Sequence, residues 1–104
     1  MARERAIALG IDVGTSGVRV AALDGEGGSL GLWSARFASA TDGRDPAAWW
    51  STLETVLDLA LAALPPERVR ALAVDGTSGT LLAIDAVGTP IGAPLMYDEA
   101  VGDD

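Results

Sequence analysis

Two apolar runs in this chain end in nearly the same residues. Residues 6–11 lead into Asp12-Val13-Gly14-Thr15-Ser16-Gly17, and residues 70–75 end in Asp75-Gly76-Thr77-Ser78-Gly79. Short apolar runs closed by turn formers read as buried strands. A segment with helical periodicity separates them, so the chain must carry both strands in a sheet that a helix covers. That pattern fixes the class as α/β.

The remaining elements follow from periodicity and punctuation. Val18, Val20 and Ala22 share one face of residues 18–24, and the glycine-rich residues 25–28 turn the chain into residues 29–39. There Leu30, Leu32 and Ser34 alternate against Gly31, Trp33 and Ala35, which predicts a three-stranded meander. Asp45-Pro46 starts a helix, with a carboxylate at the N-cap and proline where its missing N–H costs nothing. Trp49, Leu53, Val56, Leu57, Ala60, Leu61 and Leu64 recur at steps of three and four, forming one apolar stripe that Pro65-Pro66 ends. Trp49 and Trp50 are expected to anchor the helix on the sheet. Residues 80–85 are expected as a hairpin partner of the strand that precedes them, giving a mixed sheet in the order strand, strand, strand, helix, strand, strand.

Composition removes several chemistries. The chain of 104 residues contains no Cys, His or Lys. Thiol nucleophiles, Ser-His-Asp triads, zinc sites of the usual ligands, Walker A loops and Schiff bases are therefore excluded. A net charge of −8 with scattered arginines argues against nucleic-acid and anionic-membrane partners, which need a basic stripe. The first apolar run reaches only six residues before Asp12, too short for a signal segment or a membrane span, so a cytoplasmic location is expected. Carboxylates, hydroxyls, backbone amides and arginine remain to do chemistry.

Both glycine-rich turns suit a phosphate or a polyol. At residues 12–17 the flanks are both strands, so the turn closes a hairpin and is neither a P-loop nor a dinucleotide fingerprint. Gly14 and Gly17 permit positive φ, so successive N–H groups could form an anion-binding concavity, with the Thr15 and Ser16 hydroxyls as added donors. Asp12 beneath such a nest would repel phosphate unless Mg²⁺ bridged them. An ordinary hairpin capped by Asp12 accounts for the same residues. The second turn has the same two readings, and Asp-Gly is a common turn pair. If the two strands are neighbours in one sheet, the turns converge where open α/β folds bind ligands. Arg19, just past the first turn, could steady a phosphate but reads more readily as a solvated residue on a polar face; Tyr97 and Asp98 could equally reach a hydroxylated ligand or be rim residues, and residues 102–104 read as a solvated end.

With those residues in view, a resemblance emerges. Leu9-Gly10-Ile11-Asp12-Val13-Gly14-Thr15-Ser16-Gly17-Val18-Arg19 resembles the opening of the FGGY carbohydrate kinases, of the actin-like ATPase superfamily. Residues 73–82, with Asp85, Gly88, Pro90, Pro94 and residues 95–100, are similar to the pentulose kinases, particularly the D-ribulokinase-like branch. The resemblance implies a ribonuclease H-like fold, ATP and Mg²⁺ as cofactors, and a small sugar bound in a cleft between two such domains. On that basis Asp12 matches the metal-binding aspartate and Gly14, Thr15 and Ser16 match the phosphate loop. Thr77, Ser78 and Gly79, on the turn that Asp75 opens, match the sugar-contacting turn, and Asp98 falls where the family carries Asp or Asn at the sugar site. Xylulokinases run Trp-Asn-Asp with Arg two residues on, whereas this chain has Met96-Tyr97-Asp98 and then Ala100, which favours the ribulokinase-like branch.

Length is the larger departure. The resemblance implies that residues 1–104 correspond to the first part of the first kinase domain, so the aspartate acting as catalytic base and the adenine-binding segments are expected beyond them. No catalytic residue is expected within this stretch, and alone it is expected to be inactive. A non-catalytic binding or folding fragment is the alternative. Other actin-like ATPases share the first turn but are expected to lack the second.

Overall fold

A computed structural model describes residues 5–96. Strands β1 (Ile7–Val13), β2 (Gly17–Leu23) and β3 (Ser29–Arg36) form an antiparallel meander. Helix α1 (Pro46–Ala63) then carries the chain over to β4 (Val69–Gly76), which lies parallel to β1. The sheet order is β3-β2-β1-β4. A parallel pair cannot be closed by a tight turn, so the helix is the crossover that this topology requires.

Local chemistry sets the connections. Between β2 and β3, Asp24 Oδ1 accepts the Glu26 and Gly28 N–H groups at 2.9 and 2.8 Å, while Gly27 takes a φ of 86° that side chains disfavour. These amides hold the Asp24 carboxyl below the usual carboxylate range. At the start of α1, Asp45 is extended and its Oδ1 accepts the Ala47 N–H at 3.0 Å, with Pro46 at the first helical position. Asp45→Ala is expected to cost about 1 kcal/mol, read as a lower midpoint in urea unfolding with an unchanged slope.

One face of the sheet meets the helix. Ile7, Leu9 and Ile11 of β1 and Val18, Val20 and Ala22 of β2 form the core with Val56 and Ala60 of α1, flanked by Leu53, Leu57, Leu61 and Leu64. Burial of each large side chain contributes on the order of 2 kcal/mol. The helix packs on β2 and β3, so β4 at the sheet edge is left open: Leu72 and Val74 are 57% and 59% exposed.

Two expectations change. Trp49 is half-buried, but Trp50 is 64% exposed and anchors nothing. Trp33 of β3 is the indole packed against the core. Residues 80–85 do not pair with β4; instead Leu81 and Ile84 make single antiparallel bridges to Leu95 and Pro90. Among the described residues no helix is long and apolar enough to cross a membrane.

Candidate functional site

Parallel pairing brings the two repeated motifs side by side. In the β1–β4 register Asp12 lies opposite Asp75 and Val13 opposite Gly76. Since Ile7, Leu9 and Ile11 point to the helix, the alternation of a strand sends Asp12 to the other face, and Asp75 with it. The two carboxyl groups lie close enough to shift each other's titration, in opposite directions. Arg19, opposite Asp12 in the β1–β2 register, places Nε at 2.8 Å and Nη2 at 2.5 Å from Asp12 Oδ2.

The electrostatics split the pair. The hydrogen bond from Asp75, followed by that from Arg19, holds the Asp12 carboxyl below its ordinary range. Asp75 is pushed the other way, by its hydrogen bond to Asp12 and by the Asp12 charge. Asp12 is therefore the resident anion, and Asp75 is the partner that a proton or cation would relieve. Two adjacent, half-open carboxylates suit a hard divalent cation held largely through water, and the donor set fits Mg²⁺ in that manner. Among the described residues no group of three or more metal-binding side chains occurs.

A raised carboxyl pKa carries a stability signature. An acid whose folded pKa lies above its unfolded value near 3.8 weakens the fold as pH rises through the folded pKa. Asp75→Asn is thus expected to raise Tm at neutral pH, with the gain vanishing below about pH 3.8. Thermal unfolding of both proteins across pH 3 to 8 (roughly the span in which carboxylates titrate) checks this, and an equal gain at every pH would contradict it.

The first turn differs from expectation in its backbone. Neither Gly14 nor Gly17 has a positive φ, and the Gly14 N–H is spent on the Gly17 carbonyl at 2.9 Å. At Gly17 glycine is required by crowding against backbone, whereas at Gly14 only the movable end of Arg19 is close. A Cβ at Gly17 would strike the Ala35 carbonyl oxygen and lie 2.8 Å from Arg36 Cα, and one at Gly14 would lie 2.7 Å from Arg19 Nη2. Thr15 and Ser16 at the tip are exposed, and the Ser16 carbonyl accepts the Phe37 N–H at 2.8 Å. Their hydroxyls are available to a ligand. Behind them Gly43 is pressed against the Thr15 carbonyl, and the Gly43 carbonyl accepts Trp49 Nε1–H at 2.8 Å. A short 3₁₀ turn, Asp42–Arg44, thereby ties the start of α1 to the hairpin tip.

In the second turn the positive φ does occur, at Gly79 with 81°. The Thr80 N–H donates to the Thr77 carbonyl at 3.3 Å, Thr77 is half-buried and Ser78 exposed. Between the turns runs an open cleft of about 320 Å³ whose walls include Gly14, Trp49, Asp75, Thr77, Thr80 and Met96. Asp98 lies outside the described residues.

The structure thus gathers Asp12, Gly14, Asp75, Thr77 and their neighbours, and it adds residues that sequence did not single out. Arg19, read as solvated, is bonded to Asp12; its distance from the hairpin tip equals that of Asp12, a signal that pairing across a hairpin would have supplied. Trp49 was read as a core residue, and Thr80 and Met96 carried no signal.

No family model matches the chain. Solved structures do match its fold: a xyloylose kinase from Brucella ovis at 23% identity and a TM-score of 0.73, covering 86% of this chain and 20% of that one, and a xylulose kinase from Rhodospirillum rubrum at 21% and 0.73, covering 93% and 22%. A gluconate kinase from Lactobacillus acidophilus aligns at 14% identity and 0.70, covering 86% and 19%. The fold is therefore shared with part of each of these kinases, and the chain spans about a fifth of the length of each.

Proposed function

We propose that this chain is the N-terminal segment of an ATP-dependent carbohydrate kinase of the FGGY type, transferring the γ-phosphoryl group to a hydroxyl of a ketopentose such as D-ribulose. One juxtaposition carries the assignment: Asp12 and Asp75 side by side at the ends of neighbouring parallel strands, with Gly14 of one turn and Gly76 and Thr77 of the other lining one cleft. Likeness in fold to three sugar kinases supports it. The motif after Met96 favours D-ribulose over D-xylulose.

In this scheme Asp12, with Asp75 beside it, holds Mg²⁺, which would offset the charge of the phosphates. Arg19 keeps the Asp12 carboxylate ionised and oriented. Gly14 lets the hairpin tip approach the phosphates closely, and the Thr15 and Ser16 hydroxyls donate to phosphate oxygens. Asp75, Thr77, Ser78 and Gly79 face the sugar, and the sequence resemblance alone assigns Asp98 to the same ligand. Nearly all of the rate in phosphoryl transfer comes from positioning and electrostatics. A segment without a general base for the sugar hydroxyl should not turn over alone.

The open β4 edge fits a segment of a larger domain. A strand parallel to its neighbour and apolar on both faces is ordinarily covered on both, whereas here Leu72 and Val74 are exposed. The remainder of domain I would cover them, and the whole would work as a cytoplasmic enzyme. The test is a coupled assay with Mg·ATP and a panel of ketopentoses, run on a polypeptide that extends this segment to kinase length. Phosphorylation of D-ribulose is the expected result. Failure with every sugar in the panel would sink the assignment, and sugar phosphate made by the 104-residue chain alone would sink the inactive-segment half of it.

A further inference from the structure

The first tryptophan of α1 does not serve the core. Trp33 and Phe37 are the aromatic side chains packed on it, and Trp49 is not among them. It stands half-buried at the cleft that Gly14, Asp75 and Thr77 also line. Its one polar side-chain atom is nevertheless committed, since Nε1–H donates to the Gly43 carbonyl at 2.8 Å. The Trp49 backbone N–H donates to the Asp45 carbonyl at 3.0 Å, so ring and backbone both grip the segment that leads into the helix.

That segment backs the first hairpin. Gly43 is buried, and a Cβ on it would lie 2.8 Å from the Thr15 carbonyl oxygen and 3.5 Å from Phe37 Cδ2. The Phe37 N–H donates to the Ser16 carbonyl at 2.8 Å. The Thr15 and Ser16 carbonyls are thus supported from behind, while both residues stay exposed at the tip. An exposed tip flanked by glycines has much freedom to lose when a ligand orders it, and binding is tighter where the fold has removed that freedom beforehand.

We propose that Trp49 is a positioning residue for the phosphate turn. By holding the Gly43 carbonyl it keeps Gly43 against Thr15, and so fixes where the Thr15 and Ser16 hydroxyls stand before a phosphate arrives. This rests on the phosphate-turn assignment above and adds to it a residue that acts through another. Trp50, one position on and 64% exposed, lies outside the link.

The experiment uses the ¹⁵N-labelled 104-residue chain and takes two readings. One is hydrogen exchange of the Phe37 N–H, which reports the Ser16 contact, against that of Val20 in the middle of the sheet. The other is Kd for inorganic pyrophosphate with Mg²⁺, followed on the Thr15 and Ser16 amides. Trp49→Phe keeps an aromatic ring and removes the indole N–H. It is expected to speed Phe37 exchange and to raise Kd, each by about 5- to 10-fold, the factor that one net hydrogen bond supplies, with Val20 exchange unchanged. Gly43→Ala presses on the Thr15 carbonyl from the other end of the link and is expected to raise Kd likewise. Val56→Ala weakens the core and should speed exchange throughout the sheet without changing Kd. Trp50→Phe should change neither reading by more than about 2-fold. Unchanged Phe37 exchange or unchanged Kd in both Trp49→Phe and Gly43→Ala overturns the role of Trp49 and leaves the phosphate turn standing. A rise in Kd that Val56→Ala reproduces makes Trp49 a structural residue and overturns the role equally. No response of the parent to Mg²⁺ and pyrophosphate overturns the phosphate turn and the role of Trp49 together.

Discussion

Asp12→Ala, made in a kinase-length polypeptide carrying this segment, is expected to lower kcat for D-ribulose phosphorylation by on the order of 10³-fold with little loss of fold. Asp12 is the group that its surroundings keep ionised: it lies opposite Asp75 and is bonded through Oδ2 to Arg19. Removing it takes away the anion that would organise Mg²⁺ and also removes the repulsion that raises the Asp75 carboxyl. Stability should therefore change little while activity collapses. Steady-state kinetics at saturating sugar and Mg·ATP, with Tm of the same samples, separates the two. Activity within a few-fold of the parent would remove Asp12 from the machinery, and a large fall in Tm would make its role structural.

Gly17→Ala should be the most damaging single change to the fold. Gly17 opens β2 opposite Arg36 at the end of β3, and a methyl group there meets the Ala35 carbonyl oxygen and Arg36 Cα. Both are backbone atoms of a paired strand, so no side chain can swing aside and β3 itself must move. A cost of about 3 kcal/mol is expected, seen as a fall in Tm of more than about 10 °C. Gly10 is the control: a Cβ at that position has nothing within 4 Å, so Gly10→Ala should shift stability by less than about 0.5 kcal/mol. Equal effects at the two glycines would mean that conformational freedom, and not crowding, dictates Gly17.

That contrast shows where sequence was legible. Gly14 and Gly17 were read as sites of positive φ, but no positive φ occurs there, and at Gly17 it is contact with the backbone of β3 that excludes a side chain. A lone glycine looks the same in sequence whether φ or crowding demands it. Arg19 was misread because the polar face of a strand is solvated by default, and only pairing with β1 puts a carboxylate across from it. Trp49 and Trp50 are neighbours in sequence yet differ in burial, since a step of one residue turns a helix by about 100° and the Gly43 carbonyl captures just one of the two indoles.

The sequence by itself determined the elements: apolar runs of strand length, the Asp45-Pro46 start and Pro65-Pro66 stop of α1, the turn at residues 25–28, and the absence of Cys, His and Lys that confines the chemistry to carboxylates, hydroxyls and arginine. These are local facts, written in periodicity and capping within a few residues. Only the tertiary structure decided that Asp12 meets Asp75, that Arg19 closes on Asp12, and that residues 80–85 do not pair with the outer edge of β4. Each depends on the register of strands joined through a helical crossover, and on which face that helix covers. Register is fixed by packing of the whole sheet against α1, a balance that no short stretch of sequence contains.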